Sequence, residues 1–86
     1  MTAMEFEEAC TRVDDEWISF CNGYAQGVAD FLELSGAACI PPGTTRTTIV
    51  TLIDRATFSR IRDGSIPPET PALSIAIGVL EAAYPC

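Results

Sequence analysis

The stretch TPALSIAIGVLEAAY, residues 70–84, is typical of a helix that other elements must cover on most of its sides. Thr70 is a good N-cap residue, and Pro71 suits the first helical position, where no amide hydrogen is needed. Glu81 is the only charged residue in the stretch. A helix that is apolar all round has to be covered all round, and two neighbouring helices leave part of it open. That part predicts a dimer or partner interface, unless the lead segment and the loops cover it.

Two clusters of proline and glycine divide the rest of the chain. Residues 40–43 read IPPG and residues 64–68 read GSIPP. Proline pairs do not fit inside a helix, because they lack the amide hydrogen and crowd the preceding turn. After a short acidic lead, one helix is expected over residues 14–36 and a second over residues 44–63. The predicted fold is all-α, a small bundle of three main helices plus a short N-terminal segment, with residues 1–86 as a single domain.

Apolar side chains recur at steps of three and four along the first of these helices, which places them on one face. The set comprises Trp17, Phe20, Cys21, Tyr24, Val28, Phe31 and Leu32. Gly23 and Gly27 also share a face, where a second backbone can approach closely. The packing of a neighbouring helix of the same domain is the favoured explanation for the two glycines. Asp14 or Asp15 is the expected N-cap.

Four cysteines, Cys10, Cys21, Cys39 and Cys86, predict two disulfide bonds, which a core as small as this one needs. Sequence alone allows every pairing. In helices that run up, down and up, joining Cys21 to Cys39 would span about 20 Å of helix, against a limit of about 7 Å between α-carbons. We therefore favour Cys39 with Cys86 and Cys10 with Cys21. A four-cysteine zinc site is the alternative, but no CxxC pair supports it.

The charge balance narrows the class of partner. Acidic residues outnumber basic ones by twelve to five, which gives a net charge of −7. Nucleic acid and anionic membrane surfaces repel such a chain, so neither is an expected partner. A basic protein would be attracted to it. The same charge also suits a domain that is merely kept soluble.

The residue types also argue against catalysis. The sequence contains no histidine and no lysine, so a serine, threonine or cysteine nucleophile lacks its usual activating base. Asp14, Asp15 and Glu16 stand at a helix start, where acids complement the helix dipole. No phosphate-binding loop is present. We expect no enzyme, and neither catalytic residues, a cofactor nor a metal site.

No segment reaches the roughly 18 consecutive apolar residues of a membrane span. Residues 1–8, MTAMEFEE, lack the basic and apolar regions of a secretory signal. Disulfides form outside the reducing cytoplasm. We therefore expect that the natural precursor carries a signal and that the chain works after export.

Four short motifs carry a family resemblance. Residues 21–30, CNGYAQGVAD, match the pattern C-x-G-Y-x-x-G-x-x-D, and residues 9–10, 38–41 and 82–86 read AC, ACIP and AAYPC. In this order and spacing the chain resembles the Rap/Tai-type immunity proteins of bacterial type VI secretion systems over nearly its whole length. Residues 63–71 depart from the family, which usually continues its helix toward a single proline.

The resemblance implies a periplasmic, helical and often dimeric protein that binds and blocks a toxin, typically a peptidoglycan amidase. Gly23, Tyr24, Gly27 and Asp30 carry over as positions that determine the fold, not as toxin contacts. The alternative is a periplasmic acid-stress chaperone, which would expose apolar surface as its carboxylates become protonated. An accessory subunit of a larger assembly is a further alternative.

Overall fold

The computed structural model describes residues 1–86 and contains four helices. Helix α1 spans Ala3–Cys10, α2 spans Asp15–Leu34, α3 spans Arg46–Arg62 and α4 spans Ala72–Ala83. The β structure is limited to one isolated bridge. The predicted all-α class, with three main helices and a short N-terminal segment, is confirmed.

The acidic lead segment forms a helix of its own, α1. It starts with a capping box: Thr2 Oγ1 accepts a hydrogen bond from the N–H of Glu5 at 3.1 Å, and Glu5 Oε1 accepts one from the N–H of Thr2 at 2.8 Å. Ala3, Phe6 and Ala9 are buried at steps of three residues. The spacing of threonine and glutamate is the sequence signal that identifies this helix.

Helices α2 and α3 end at glycines, as predicted. Gly36 and Gly64 have φ values of +75° and +78°, a left-handed conformation that glycine adopts at little cost. At the start of α3, Thr45 Oγ1 accepts a hydrogen bond from the N–H of Thr48 at 3.1 Å. Proline and glycine punctuation therefore located both helices to within a residue or two.

Helices α2 and α4 begin without a hydrogen bond from a capping side chain. Asp14 is the N-cap residue of α2, but its Oδ2 accepts from Arg12 Nη2 at 2.7 Å instead of capping the helix. At α4, Pro71 stands at the N-cap position, so the prediction that Thr70 caps this helix is wrong. The carbonyl of Thr70 accepts a hydrogen bond from the N–H of Ala3 at 2.7 Å. Backbone pairing with the residues before α1 thus holds this segment extended.

One hydrophobic core lies where the four helices meet, since every pair of helices is in contact. Its largest fully buried apolar side chains are Phe6, Ile49, Ile53 and Leu80. Helix α4 packs against all three of its neighbours. Nevertheless Leu73, on α4, is 49 % exposed. Three neighbouring helices therefore leave one side of α4 open.

Two disulfides anchor the ends of the bundle. Cys10 is bonded to Cys21 and Cys39 to Cys86, with α-carbon separations of 5.7 and 5.0 Å. Beside the second bond, the N–H of Cys39 donates to the carbonyl of Tyr84 at 2.9 Å. The first bond ties α1 to α2, and the second ties the residues after α4 to the loop that follows α2.

Candidate functional site

The apolar face of α2 is wider than the core requires. The residues of α2 that are buried in the bundle are Cys21, Ala25, Val28, Ala29 and Leu32. Phe20 and Phe31, which the spacing places on the same face, are 40 % and 61 % exposed. The predicted face is therefore divided between the core and the surface.

An apolar groove of about 430 Å³ runs along the exposed part of this face, between α2 and α4. Five residues of α2 and two of α4 line it: Gly23, Tyr24, Gly27, Val28, Phe31, Leu73 and Ile77. Tyr24 is the only one of them with a polar side chain. The groove therefore offers shape and apolar area together with one hydroxyl group.

Gly23 and Gly27 form the floor of the groove on the α2 side. Both are exposed, and no other side chain or element lies within 4 Å of the position that a Cβ would occupy at either glycine. The expectation that a neighbouring helix of the same domain packs on them is wrong. The reason is that α4 packs beside this face and not over it, so the close approach that the glycines permit is not used within the chain.

Of the four family positions, the structure brings Gly23, Tyr24 and Gly27 together along the groove. Asp30 follows Gly27 by three residues on the same exposed side of α2. Its Oδ1 accepts a hydrogen bond from Gln26 Nε2 at 2.7 Å, a contact within the helix. These four side chains thus lie on or beside one surface, and their role as determinants of the fold stays a prediction.

Four neighbouring aromatic rings form a row that runs from the core to the N-terminal end of the groove. The ring of buried Phe6 lies 5.5 Å from that of Tyr24, which lies 6.1 Å from Phe20, which in turn lies 5.8 Å from Trp17. The guanidinium of Arg12 stands 5.2 Å from the Trp17 ring. Burial raises the pKa of the Tyr24 hydroxyl, which keeps it protonated and able to donate.

The two helices that form the groove carry acidic charge alone. Their ionisable carboxylates are Asp15, Glu16, Asp30 and Glu33 on α2 and Glu81 on α4, and neither helix contains an arginine. Four of the five arginines of the chain belong to α3. The fifth, Arg12, is paired with Asp14. The groove therefore lies in a negatively charged part of the surface.

A second acidic feature lies between α1 and α3, away from the groove. Asp54 is half-buried, and its Oδ1 is shielded from solvent without a hydrogen-bond partner. Burial, reinforced by the negative charge of Glu7, raises the pKa of the Asp54 carboxyl. This carboxyl belongs to the packing between helices.

No helix is both long and apolar enough to span a membrane. The aspartate, glutamate and cysteine side chains nowhere form a group of three or more that could hold a metal ion.

These features define a small helical bundle, stapled by two disulfides, whose surface keeps an apolar groove open. A family model described as Rap1a immunity proteins matches residues 2–86. The chain therefore belongs to the Rap1a immunity protein family, whose members neutralise toxins, and the resemblance carried by its motifs is confirmed. No curated protein and no solved structure gives a significant match.

Proposed function

We propose that the chain is a periplasmic immunity protein that binds and blocks a peptidoglycan amidase delivered by type VI secretion. Membership of the Rap1a immunity family supports the role of toxin inhibitor. Two disulfides support an oxidising compartment, as the periplasm is. The observation that carries the proposal is the groove between α2 and α4, an apolar surface that the chain itself leaves uncovered.

Inhibition of this kind proceeds by occupancy and without a chemical step. A stable interface covers about 800 Å² on each partner, which is about a sixth of the 5060 Å² accessible surface of this chain. Exposed aromatic side chains near the centre of such an interface dominate its affinity. Phe31 and Phe20 are placed to serve as these anchors.

We also propose that two copies of the chain associate. Apolar side chains outside the groove, Val13, Ile18 and Phe58, are exposed and available for such a contact. Sedimentation velocity of the oxidised protein is expected to give twice the 9.2 kDa mass of one chain. A single species of monomer mass at micromolar concentration would contradict the dimer.

The decisive experiment titrates the oxidised protein against a type VI peptidoglycan amidase, selected from a panel of such enzymes by its binding to the chain, with peptidoglycan cleavage as the readout. Activity is expected to fall linearly and to vanish at stoichiometric equivalence. The reduced and alkylated chain is the control and should inhibit far less. In living cells, protection against an attacking strain should require export of the chain, and equal protection by a cytoplasmic version would refute the periplasmic site of action.

A further inference from the structure

We propose that the groove between α2 and α4 receives a helix of a positively charged partner protein, whose backbone rests on Gly23 and Gly27. This deepens the proposed function and rests on it for the identity of the partner as the toxin.

The α2 side of the groove leaves room for the backbone of a second helix to approach closely. With nothing within 4 Å of either missing Cβ, Gly23 and Gly27 present one turn of bare helix to the outside. A second helix packs closer to such a surface than to one covered by side chains, where interaxial distances are about 8–10 Å. Glycine in a helix interior costs up to about 1 kcal/mol relative to alanine, so two of them on one open face call for a compensating contact.

The walls of the groove fit apolar side chains spaced along a helix. Phe31 on α2 and Leu73 on α4 are both about half exposed, and Ile77 lies one turn further along α4 from Leu73. A helix that docks in a groove presents side chains at i, i+3, i+4 and i+7. A small molecule fits the lining less well, because specific small-molecule sites add several convergent polar groups and this one has only Tyr24.

The charge around the groove selects a basic occupant. Glu16 and Asp30 lie on the same side of α2 as the two glycines, and Glu81 lies one turn beyond Ile77 on α4. No cation of either helix offsets them. Lysine or arginine residues that flank an apolar helix would pair with these carboxylates and increase the rate of association.

The same charges argue against the other available occupants. A second copy docked through this face would bring the acidic set against itself, an arrangement that disfavours association. The described ends of the chain cannot fold over the groove either. Thr2 is bridged to Pro71, and Cys86 is bonded to Cys39.

The first test fills the groove. Gly27→Leu places a side chain over the floor, and because leucine is a better helix former than glycine, the variant should be at least as stable as the wild type. Its dissociation constant for the amidase is expected to rise at least about 30-fold, as for loss of a hot spot. Gly78→Leu is the matched control: Gly78 is also helical, exposed and free of neighbours, but it does not line the groove. It should change the affinity less than about twofold.

Unchanged affinity in Gly27→Leu would overturn the proposal while leaving the immunity function intact. If Gly27→Leu instead became monomeric and bound the amidase normally, the occupant would be a second copy, which also overturns it. Failure of the wild type to bind any amidase would instead refute the proposed function.

A second test needs no toxin. A synthetic amphipathic helix with an apolar face and lysine flanks is titrated into the labelled protein and followed by amide chemical shifts. The shifts are expected to concentrate at Gly23, Gly27, Phe31 and Leu73, and a glutamate-flanked version of the same peptide should not produce them. Shifts elsewhere, no shifts, or equal shifts with both peptides would overturn the proposal.

Discussion

The two disulfides enclose loops of very different length, which allows their contributions to stability to be separated. The bond between Cys39 and Cys86 closes a separation of 47 residues and encloses α3 and α4, whereas the bond between Cys10 and Cys21 closes 11. The perturbation is the same in each case: both cysteines of one bond are changed to serine. The chemical change is matched, so the loop that is released is the main difference.

The expected losses follow from the entropy that each cross-link removes from the unfolded chain. For separations of 47 and 11 residues, this entropy corresponds to about 4 and about 2.8 kcal/mol at room temperature. A chain of 86 residues has a total stability of about 4–13 kcal/mol. Loss of the longer loop therefore removes a large fraction of the stability, and loss of the shorter one removes about 1.3 kcal/mol less.

The assay is urea unfolding followed by far-UV circular dichroism for the wild type and both serine variants. Free energies extrapolated to water should be compared, because removing a cross-link expands the unfolded chain and raises the denaturant slope. If the Cys39→Ser, Cys86→Ser variant unfolds in buffer, an osmolyte that favours compact states returns it to the measurable range. An equal loss in both variants, or a greater loss for the shorter loop, would refute the entropic reasoning.

Four further substitutions test the packing and the backbone conformation. Asp54→Asn should stabilise the protein at neutral pH by about 0.5–1 kcal/mol, a figure reduced for the partial exposure of the carboxyl. Because folding raises the pKa of Asp54, its unfavourable contribution is present at neutral pH, declines as the pH falls through that raised value and is gone below the ordinary pKa of an aspartate. Thermal melts of variant and wild type should therefore converge in acid. Gly64→Ala should cost about 1 kcal/mol in urea unfolding, because its φ of +78° strains any side chain, while Gly78→Ala, in an ordinary helical conformation, should stabilise. Phe6→Ala should cost about 3–5 kcal/mol in the same assay, since its ring is fully buried, and a loss below about 1 kcal/mol would contradict its place in the core.

The helices were predictable because their boundaries have local causes. Proline pairs cannot continue a helix, and Gly36 and Gly64 adopt the left-handed conformation that ends one. Helix α1 was equally predictable from the capping box of Thr2 and Glu5, but a helix of eight residues carries a weak periodic signal. The contacts of Thr70 were not predictable, because they depend on pairing with Ala3, a residue far away in the sequence.

The open groove could be predicted only in part. The excess apolar surface of α4 indicated that some side of it faces a partner, and exposed Leu73 is on that side. The spacing of Gly23 and Gly27 indicated a close approach of backbones. Whether the backbone of α4 approaches these glycines depends on the angle and offset between α2 and α4. Local sequence patterns do not determine that angle and offset. The fold leaves both glycines open, so the close approach that their spacing permits is not made within the chain.

The placement of charge has a similar origin in the fold. A net charge of −7 predicts attraction to a basic protein but does not indicate which surface of the chain attracts it. The fold separates the charges, because most of the arginines belong to α3 while the helices that form the groove carry only carboxylates. The groove side of the molecule is therefore the negative one. The apolar groove and the negative charge thus lie on the same two helices, although they act on different steps of binding. In the proposed complex, the apolar floor and walls would supply affinity, and the carboxylates would accelerate the approach of a basic partner and repel a second copy. A substitution in the floor should therefore act on dissociation, whereas Asp30→Asn should mainly slow association, by an amount that added salt abolishes.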